Sequence, residues 1–220
     1  MAYIHKSQRL PLEVNARCSC VGRVAGSRMR VEVTEEPITD LEEYASIPIA
    51  FTVDSVLDVK EPDRSFSEFL LTERRLPLAY VKDYDAIDGE HPNQWATRFD
   101  VSSWGVFAAR VEGERVGGAV LALNTPTMAA LDGRNDVAVL WDMRISPGVR
   151  RQGLGSALFR AAEEWGKARG CRLIKVETQN INVAACRFYA SQGCTLASVN
   201  RYAYPEMRGE IQLLWRKGLE

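Results

Sequence analysis

Residues 150–165 read RRQGLGSALFRAAEEW. Gly153 and Gly155 stand behind two arginines, and an amphipathic run starts at once. Leu154, Ala157, Leu158, Ala161, Ala162, Trp165 and Ala168 recur at helical spacing, with Arg160, Glu163, Glu164 and Lys167 on the other face. The stretch is therefore a glycine-bearing loop feeding a helix, with Gly170 as its stop. The first N–H groups of a helix lack partners within it, and the helix dipole makes that end positive. A phosphate satisfies both. The glycines keep Cβ atoms out of its way, and Arg150 and Arg151 add charge, so a pyrophosphate suits the loop. Neither common nucleotide motif is present: position 158 is leucine where a dinucleotide fingerprint needs glycine, and Gly-Leu-Gly-Ser stands where a P-loop has Gly-Lys-Ser/Thr. Taken alone, two glycines in a tight strand-to-helix turn would look the same.

Outward from this helix the pattern is regular. VAVLWDMRI (137–145) reads as the strand before it and RLIKVET (172–178) as the strand after. NVAACRFYASQ (182–192) is a shorter helix with Asn182 at its start and Gly193 at its stop, and TLASVNRYAY and EIQLLWRK close the chain as two strands. Upstream, SWGVFAARVEGERVGGAVLAL (103–123) is strand, Glu-Gly turn, strand. PITDLEEYASI (37–47) reads as a helix and IPIAFTVDSVLDVK (47–60) as a strand. LPLAYVKDYDAIDGEHPNQW (76–95) and NTPTMAALDGRND (124–136) read as loops, and residues 1–30 as an N-terminal extension or lead-in.

The 220 residues form one domain on size, with a formal net charge of -1. That balance gives no global basic field for nucleic acid. No apolar run reaches the roughly 18 residues of a membrane span, and the N-terminus lacks an apolar signal core, so the cytoplasm is the expected compartment. Cys18, Cys20, Cys171, Cys186 and Cys194 are expected as reduced, mostly buried thiols. With only two histidines, no metal site is expected.

RRQGLG fits the pattern Q/R-x-x-G-x-G/A, between a strand and a helix. About thirty residues on, NVAACRFYASQGC fits N-x-x-A-x-x-(F/L)-Y-x-x-x-G. Together they resemble the GNAT superfamily of N-acetyltransferases, over roughly residues 100–205. IPIAFTVDSVLDVK, YVKDYD, VGGAVLAL, IKVETQN and NRYAY look like the streptothricin acetyltransferase branch. The resemblance implies an α/β fold with a mixed, mostly antiparallel sheet flanked by helices and splayed between two parallel neighbouring strands. It implies acetyl-CoA as cosubstrate and an amine as acceptor.

The resemblance places pantetheine against backbone groups of Met143, Arg144 and Ile145, and the phosphates against Arg150, Arg151, Gln152, Gly153, Leu154, Gly155 and Ser156. Asn182 and Tyr189 are seven residues apart and share a helix face, with Ala185 and the small Cys186 between them, a lane suited to a thiol-bearing arm. By resemblance Asn182 contacts the coenzyme and Tyr189 protonates the leaving thiolate. For the base, the nearby acid on the strand before the loop is Asp142, with Glu177 on the next strand as second candidate. Side chains on a strand alternate, so Asp142 and Trp141 share the cleft only if a bulge intervenes. Asp142 has an alternative reading as a buried partner of Arg144. Asp83, Tyr84 and Asp85, with Trp141, are candidates to attract and wall a small cationic amine. A polyamine, a protein amine, or coenzyme binding without robust catalysis are the alternatives, and the two closing strands leave a homodimer open.

Overall fold

A computed structural model describes residues 18–21, 30–60 and 69–220. The strands are β1 (Cys18–Val21), β2 (Arg30–Glu36), β3 (Phe51–Lys60), β4 (Leu70–Lys82), β5 (Gly105–Val111), β6 (Glu114–Ala122), β7 (Val137–Ile145), β8 (Leu173–Gln179), β9 (Thr195–Asn200) and β10 (Gln212–Gly218). The helices are α1 (Leu41–Ala45), α2 (Trp95–Arg98), α3 (Leu154–Ala168) and α4 (Val183–Ser191). Eight strands form one sheet in the order β1-β2-β5-β6-β7-β8-β10-β9, and β3 and β4 form a second, two-stranded sheet. Every pairing in the large sheet is antiparallel except β7 with β8. This is the mixed, mostly antiparallel sheet expected from the sequence.

The two faces of the large sheet carry separate cores. On one face α3 and α4 pack over the strands. Leu154, Leu158, Phe159 and Ile174 are at most 1% exposed there, and burying each such side chain contributes about 1.5–3 kcal/mol. On the other face Tyr44, Trp95, Trp104, Val120 and Val137 form a second cluster under α1 and α2. Gly118 makes room for it, because a Cβ there would lie 2.6 Å from the Tyr44 ring.

The segment 76–95 departs from the loop expected of it. β4 runs through Lys82, Pro92–Gln94 is a short 3-10 turn, and α2 follows. β4 hid because most of its residues are exposed on both faces, so no alternation marks it. Its partner β3 supplies the burial: Val53, Val56, Leu57 and Val59 are all buried. The register jumps from Val53↔Tyr80 to Ser55↔Arg75, and Pro77 falls inside that irregularity, where its missing N–H breaks no ladder bond. At the other end of the chain, β9 stops at Asn200, and residues 201–211 turn before β10. Part of the expected lead-in is strand: β1 pairs with β2, whose Val31 and Val33 enter the core. The rest of residues 1–30 lies outside the described residues, as do the side chains of Cys18 and Cys20. Cys171, Cys186 and Cys194 are free and buried.

Asn180 ties the small sheet to the large one. Its C=O accepts from Leu57 N–H (2.9 Å) and its Nδ2 donates to Leu57 C=O (3.2 Å). Its N–H donates to Ile211 C=O (3.0 Å), and its Oδ1 accepts from Ile211 N–H (2.8 Å). A buried amide satisfied on all sides fixes the wall of the cleft that lies between the sheets.

Candidate active site

The parallel ladder between β7 and β8 runs only from Val137↔Leu173 to Leu140↔Val176. β7 continues to Ile145 and β8 to Gln179, but their facing edges no longer pair. The sheet therefore opens at residues 141–145 and 177–179, leaving backbone donors and acceptors on both rims. A cavity of about 920 Å³ lies over this opening. It is walled by β3, β7, β8, α4 and the turn before β10, with Phe51, Tyr84, Trp141, Glu177, Tyr189 and Tyr204 among its residues.

β7 carries the bulge that the sequence left open. Val120 faces Asp142 and Leu121 faces Leu140, so Trp141 is the extra residue. The alternation slips there. Trp141, Asp142 and Arg144 all turn to the Tyr44 face, while Met143 and Ile145 pack on the α3–α4 core. Trp141 meets Phe99 edge-on at 5.3 Å and also lines the cavity. Trp104 sits behind it in the core.

Asp142 thus reaches the cavity, but its oxygens are engaged. Arg144 donates from Nε to Oδ1 (3.0 Å) and from Nη2 to Oδ2 (2.8 Å), and the Tyr44 hydroxyl also donates to Oδ1. Arg144, whose side chain is fully buried, further binds both Asp85 oxygens at 2.9 and 3.1 Å and the Ile47 C=O at 3.1 Å. One guanidinium holds two carboxylates, one from the loop after β4. The pair of Asp142 with Arg144, one of the two sequence readings, is present. Burial, then the Asp142 charge, pushes the Tyr44 phenol well above its ordinary range. Asp85 and Tyr84 line the cavity; Asp83 is exposed, accepting the Asp85 N–H at 3.0 Å.

Glu177 lies on the same face, across the opening. Its neighbours Ile174, Val176 and Thr178 are buried beneath, and it is exposed to the cavity. Tyr204 donates its hydroxyl to Oε1, and Gln212 Nε2 donates to Oε2 at 2.7 Å. Both donors are neutral. The other carboxylates around the cavity hold cations: Asp54 with Arg75, Glu73 with Arg187, Glu90 with Arg98, and Asp85 and Asp142 with Arg144.

Tyr189 lines the cavity from the opposite side of the sheet, on α4. Burial pushes its phenol far above the ordinary range, and the Asp142 charge adds to this. Asn182 caps α4, its Oδ1 accepting from Ala185 N–H at 3.1 Å, and it lines the cavity. Cys186 does not share that lane. Its Sγ turns into the core against Thr178 Oγ1 (3.4 Å), and burial pushes the thiol up to about 11.

The loop before α3 fits a phosphate-bearing ligand. Gly153 is left-handed (φ 86) and a Cβ there would meet nothing within 4 Å. The first i→i−4 bond of the helix is Ala157 N–H to Gly153 C=O, so the N–H groups of Leu154, Gly155 and Ser156 have no partner inside the helix. Gln152 Oε1 is buried without a hydrogen-bond partner. Gly155 has a different reason from the one expected: its Cβ would press the Phe188 ring at 3.1 Å, so it serves the packing of α3 on α4. The Leu154 side chain is core. Arg151 is exposed in a left-handed conformation, and Arg150 Nε bonds the Ile145 C=O at 2.9 Å, bracing the end of β7. Among the described residues no group of three or more His, Cys, Asp and Glu side chains could hold a metal ion. No described helix is long and apolar enough to cross a membrane.

A sheet splayed between two parallel strands, with a phosphate-sized helix start beside the gap, defines the acyl-CoA N-acyltransferase class. The Acetyltransferase (GNAT) family model matches residues 69–194, more than half of the 220-residue chain. The chain therefore belongs to the GNAT family and is an acetyl-CoA-dependent N-acetyltransferase. It is 28% identical to Streptothricin acetyltransferase of Escherichia coli over 190 residues, 85% of this chain and 94% of that protein. It is 32% identical to Streptothricin acetyltransferase A of Bacillus subtilis over 83 residues, a match that takes in 37% of this chain and about half (48%) of that relative. A Bacillus anthracis protein assigned to the streptothricin acetyltransferases, solved with acetyl coenzyme A, superposes with a TM-score of 0.68 at 23% identity, over 86% of this chain and 99% of that one. At that identity the likeness is one of fold.

Proposed function

We propose that this enzyme acetylates a primary amine on a small cationic molecule of the streptothricin kind. The observation that carries this reading is Glu177, a cavity carboxylate whose partners are a phenol and an amide while the carboxylates around it hold arginines. A carboxylate placed so attracts an ammonium and can take its proton. The names of the relatives that match over most of their length supply the acceptor class.

Acetyl-CoA supplies the acetyl group as a thioester, and its sulfur leaves as a thiolate. The residues of this chain divide the remaining work by face. On the α3–α4 side, Gly153 and the free N–H groups of the first turn of α3 hold the phosphates, backbone groups of Met143, Arg144 and Ile145 pair with the pantetheine amides, and Asn182 contacts the coenzyme. Tyr189, kept protonated by its burial, stands on this side as proton donor to the sulfur. On the other side Glu177 receives the amine, with Tyr84, Tyr204 and Trp141 as walls. Asp142 and Asp85, clamped to Arg144, hold the floor and the loop of that pocket. The gap between β7 and β8 lets the two sides meet.

Thiol release from acetyl-CoA, measured with streptothricin, spermidine and a peptide amine, tests the reading. Streptothricin should give the highest kcat/KM, and Glu177→Gln should lower it about 10²–10⁴-fold at unchanged acetyl-CoA affinity. Preference for spermidine or the peptide would overturn the acceptor class, and tight acetyl-CoA binding with no amine acetylated would mean a binding module.

A further inference from the structure

The turn between β9 and β10 brings to Glu177 a residue, Tyr204, whose hydroxyl has no part in the chemistry above. Tyr204 donates to Glu177 Oε1 and itself accepts from Gln179 Nε2 at 3.0 Å. It stands on a turn, so its place depends on what holds the turn. Met207 N–H bonds Tyr204 C=O and Glu210 N–H bonds Met207 C=O, each at 3.1 Å, which winds residues 204–210 into two linked turns. At their end Glu210, itself buried, accepts from the Tyr84 hydroxyl at 2.8 Å and forms an ion pair with Lys82. The Lys82 ammonium lies 4.8 Å from the centre of the Tyr84 ring. The next residue, Ile211, is tied to Asn180 on both backbone groups.

The charges are distributed in a telling way. Lys82, which reaches this turn from β4, is taken by Glu210, and the donors bonded to Glu177 are neutral. A side chain needed only for packing would not require a carboxylate held by two directed hydrogen bonds and facing a cavity. We propose that Tyr204 is a positioning residue that aims the Glu177 carboxylate at the acceptor amine, and that the Lys82–Glu210–Tyr84 latch sets Tyr204 in place. The proposal rests on the assignment of Glu177 as the group that receives the amine. With Tyr84, Tyr204 and Met207 lining the same wall, the pocket suits an ammonium carried on an aliphatic stem, whose charge sits against ring faces and whose methylenes sit against the thioether.

Other charged and titratable groups also face Glu177. On its own strand Lys175 is bound to Asp132. β10 brings Gln212 and, further along the same face, Arg216. β7 brings Asp142 and Arg144, which are bound to each other. The turn brings Tyr204 and Glu210, β4 brings Lys82, and the loop after β4 brings Tyr84. Of these, Tyr204 and Gln212 bond Glu177 directly. Removing the Tyr204 hydroxyl withdraws a donor that favours the carboxylate, so the acidic limb of the rate profile must move to higher pH.

The test is Tyr204→Phe, with kcat/KM for streptothricin followed across pH and acetyl-CoA affinity measured by calorimetry. kcat/KM at neutral pH should fall about ten-fold, the scale of one hydrogen bond to a charged group, and the acidic limb should move to higher pH. Acetyl-CoA affinity should not change. Glu210→Gln should shift the limb the same way by a smaller amount, which covers the case of a poorly folding Tyr204 variant. In a Glu177→Gln background the Tyr204 change should have no further effect, because the two act as one unit. An unmoved limb in folded Tyr204→Phe, or additive losses in the double variant, would overturn the positioning role while leaving Glu177 in place. A fully active Glu177→Gln enzyme would overturn both the functional reading and this inference.

Discussion

Tyr189 and Asp142 show how one side chain is left reactive and another is locked. Tyr189 is buried without an ionised partner bonded to its oxygen, and its phenol is pushed far up, so it remains a proton donor at neutral pH. Tyr189→Phe keeps the ring packed against Phe159 and Phe188 and removes the proton alone. It should lower kcat about 10²–10⁴-fold with acetyl-CoA affinity intact; an unchanged kcat, where chemistry limits turnover, would make Tyr189 a packing residue. Asp142 lies in the bonds of Arg144 and Tyr44. Asp142→Asn leaves a fully buried guanidinium short of charge, a change that costs roughly 3–5 kcal/mol when a buried pair is broken outright. Its signature should be a lower melting temperature with the acidic limb of kcat/KM in place. A moved limb at unchanged melting temperature would return the base to Asp142.

At the level of the element, the loop before α3 allows a clean separation of strain from occlusion. Gly153→Ala places a methyl in open space at a left-handed position and should cost about 1–2 kcal/mol while acetyl-CoA still binds. Gly153→Glu fills and charges the same space, and should abolish binding in a calorimetric titration of the folded variant. Wild-type affinity for Gly153→Glu would remove the phosphates from this loop. That loop, and the run β7–α3–β8–α4, could be read from sequence because periodicity and glycine stops are local signals. β4 could not, since a strand exposed on both faces has no alternation to read. The Asp142–Arg144 pair was open to reading, but the rest of the clamp was hidden for another reason: Asp85 stands 59 residues from Arg144, and Tyr44 lies 98 residues from Asp142. The acidic loop therefore looked like a steering surface, when one of its acids is an anchor. Tyr204 was visible only as a letter in NRYAY, because its role depends on a turn that no repeat pattern marks.

Across the whole molecule, tyrosine burial ties stability to alkaline pH. Tyr44, Tyr84, Tyr189 and Tyr204 are all pushed up, burial being the first cause in each case. An unfolded chain releases these protons near pH 10, while the folded chain keeps them. The unfolded state then binds fewer protons, so stability is full below about pH 10 and falls as pH rises above it. Phenolate absorbance should accordingly rise in two stages, with these four of the seven tyrosines ionising only as near-ultraviolet circular dichroism is lost. A single smooth titration of all the tyrosines in a folded protein would contradict their burial.

The extra residue at Trp141 gives β7 a shifted reading frame. Upstream of it, Ala138 and Leu140 face the helices; downstream, Met143 and Ile145 do, and Arg144 is sent the other way. Replacing the indole by another ring keeps that frame. Deleting the residue keeps it too: Asp142 would then follow Leu140, and plain alternation would leave Met143 and Ile145 on the helix side. The frame breaks only if all nine residues of β7 run straight, when Asp142 and Arg144 would be driven into an apolar core while Met143 and Ile145 faced the acceptor pocket. β7 should therefore keep its fold on substitution or deletion at position 141, the deletion costing a wall of the pocket.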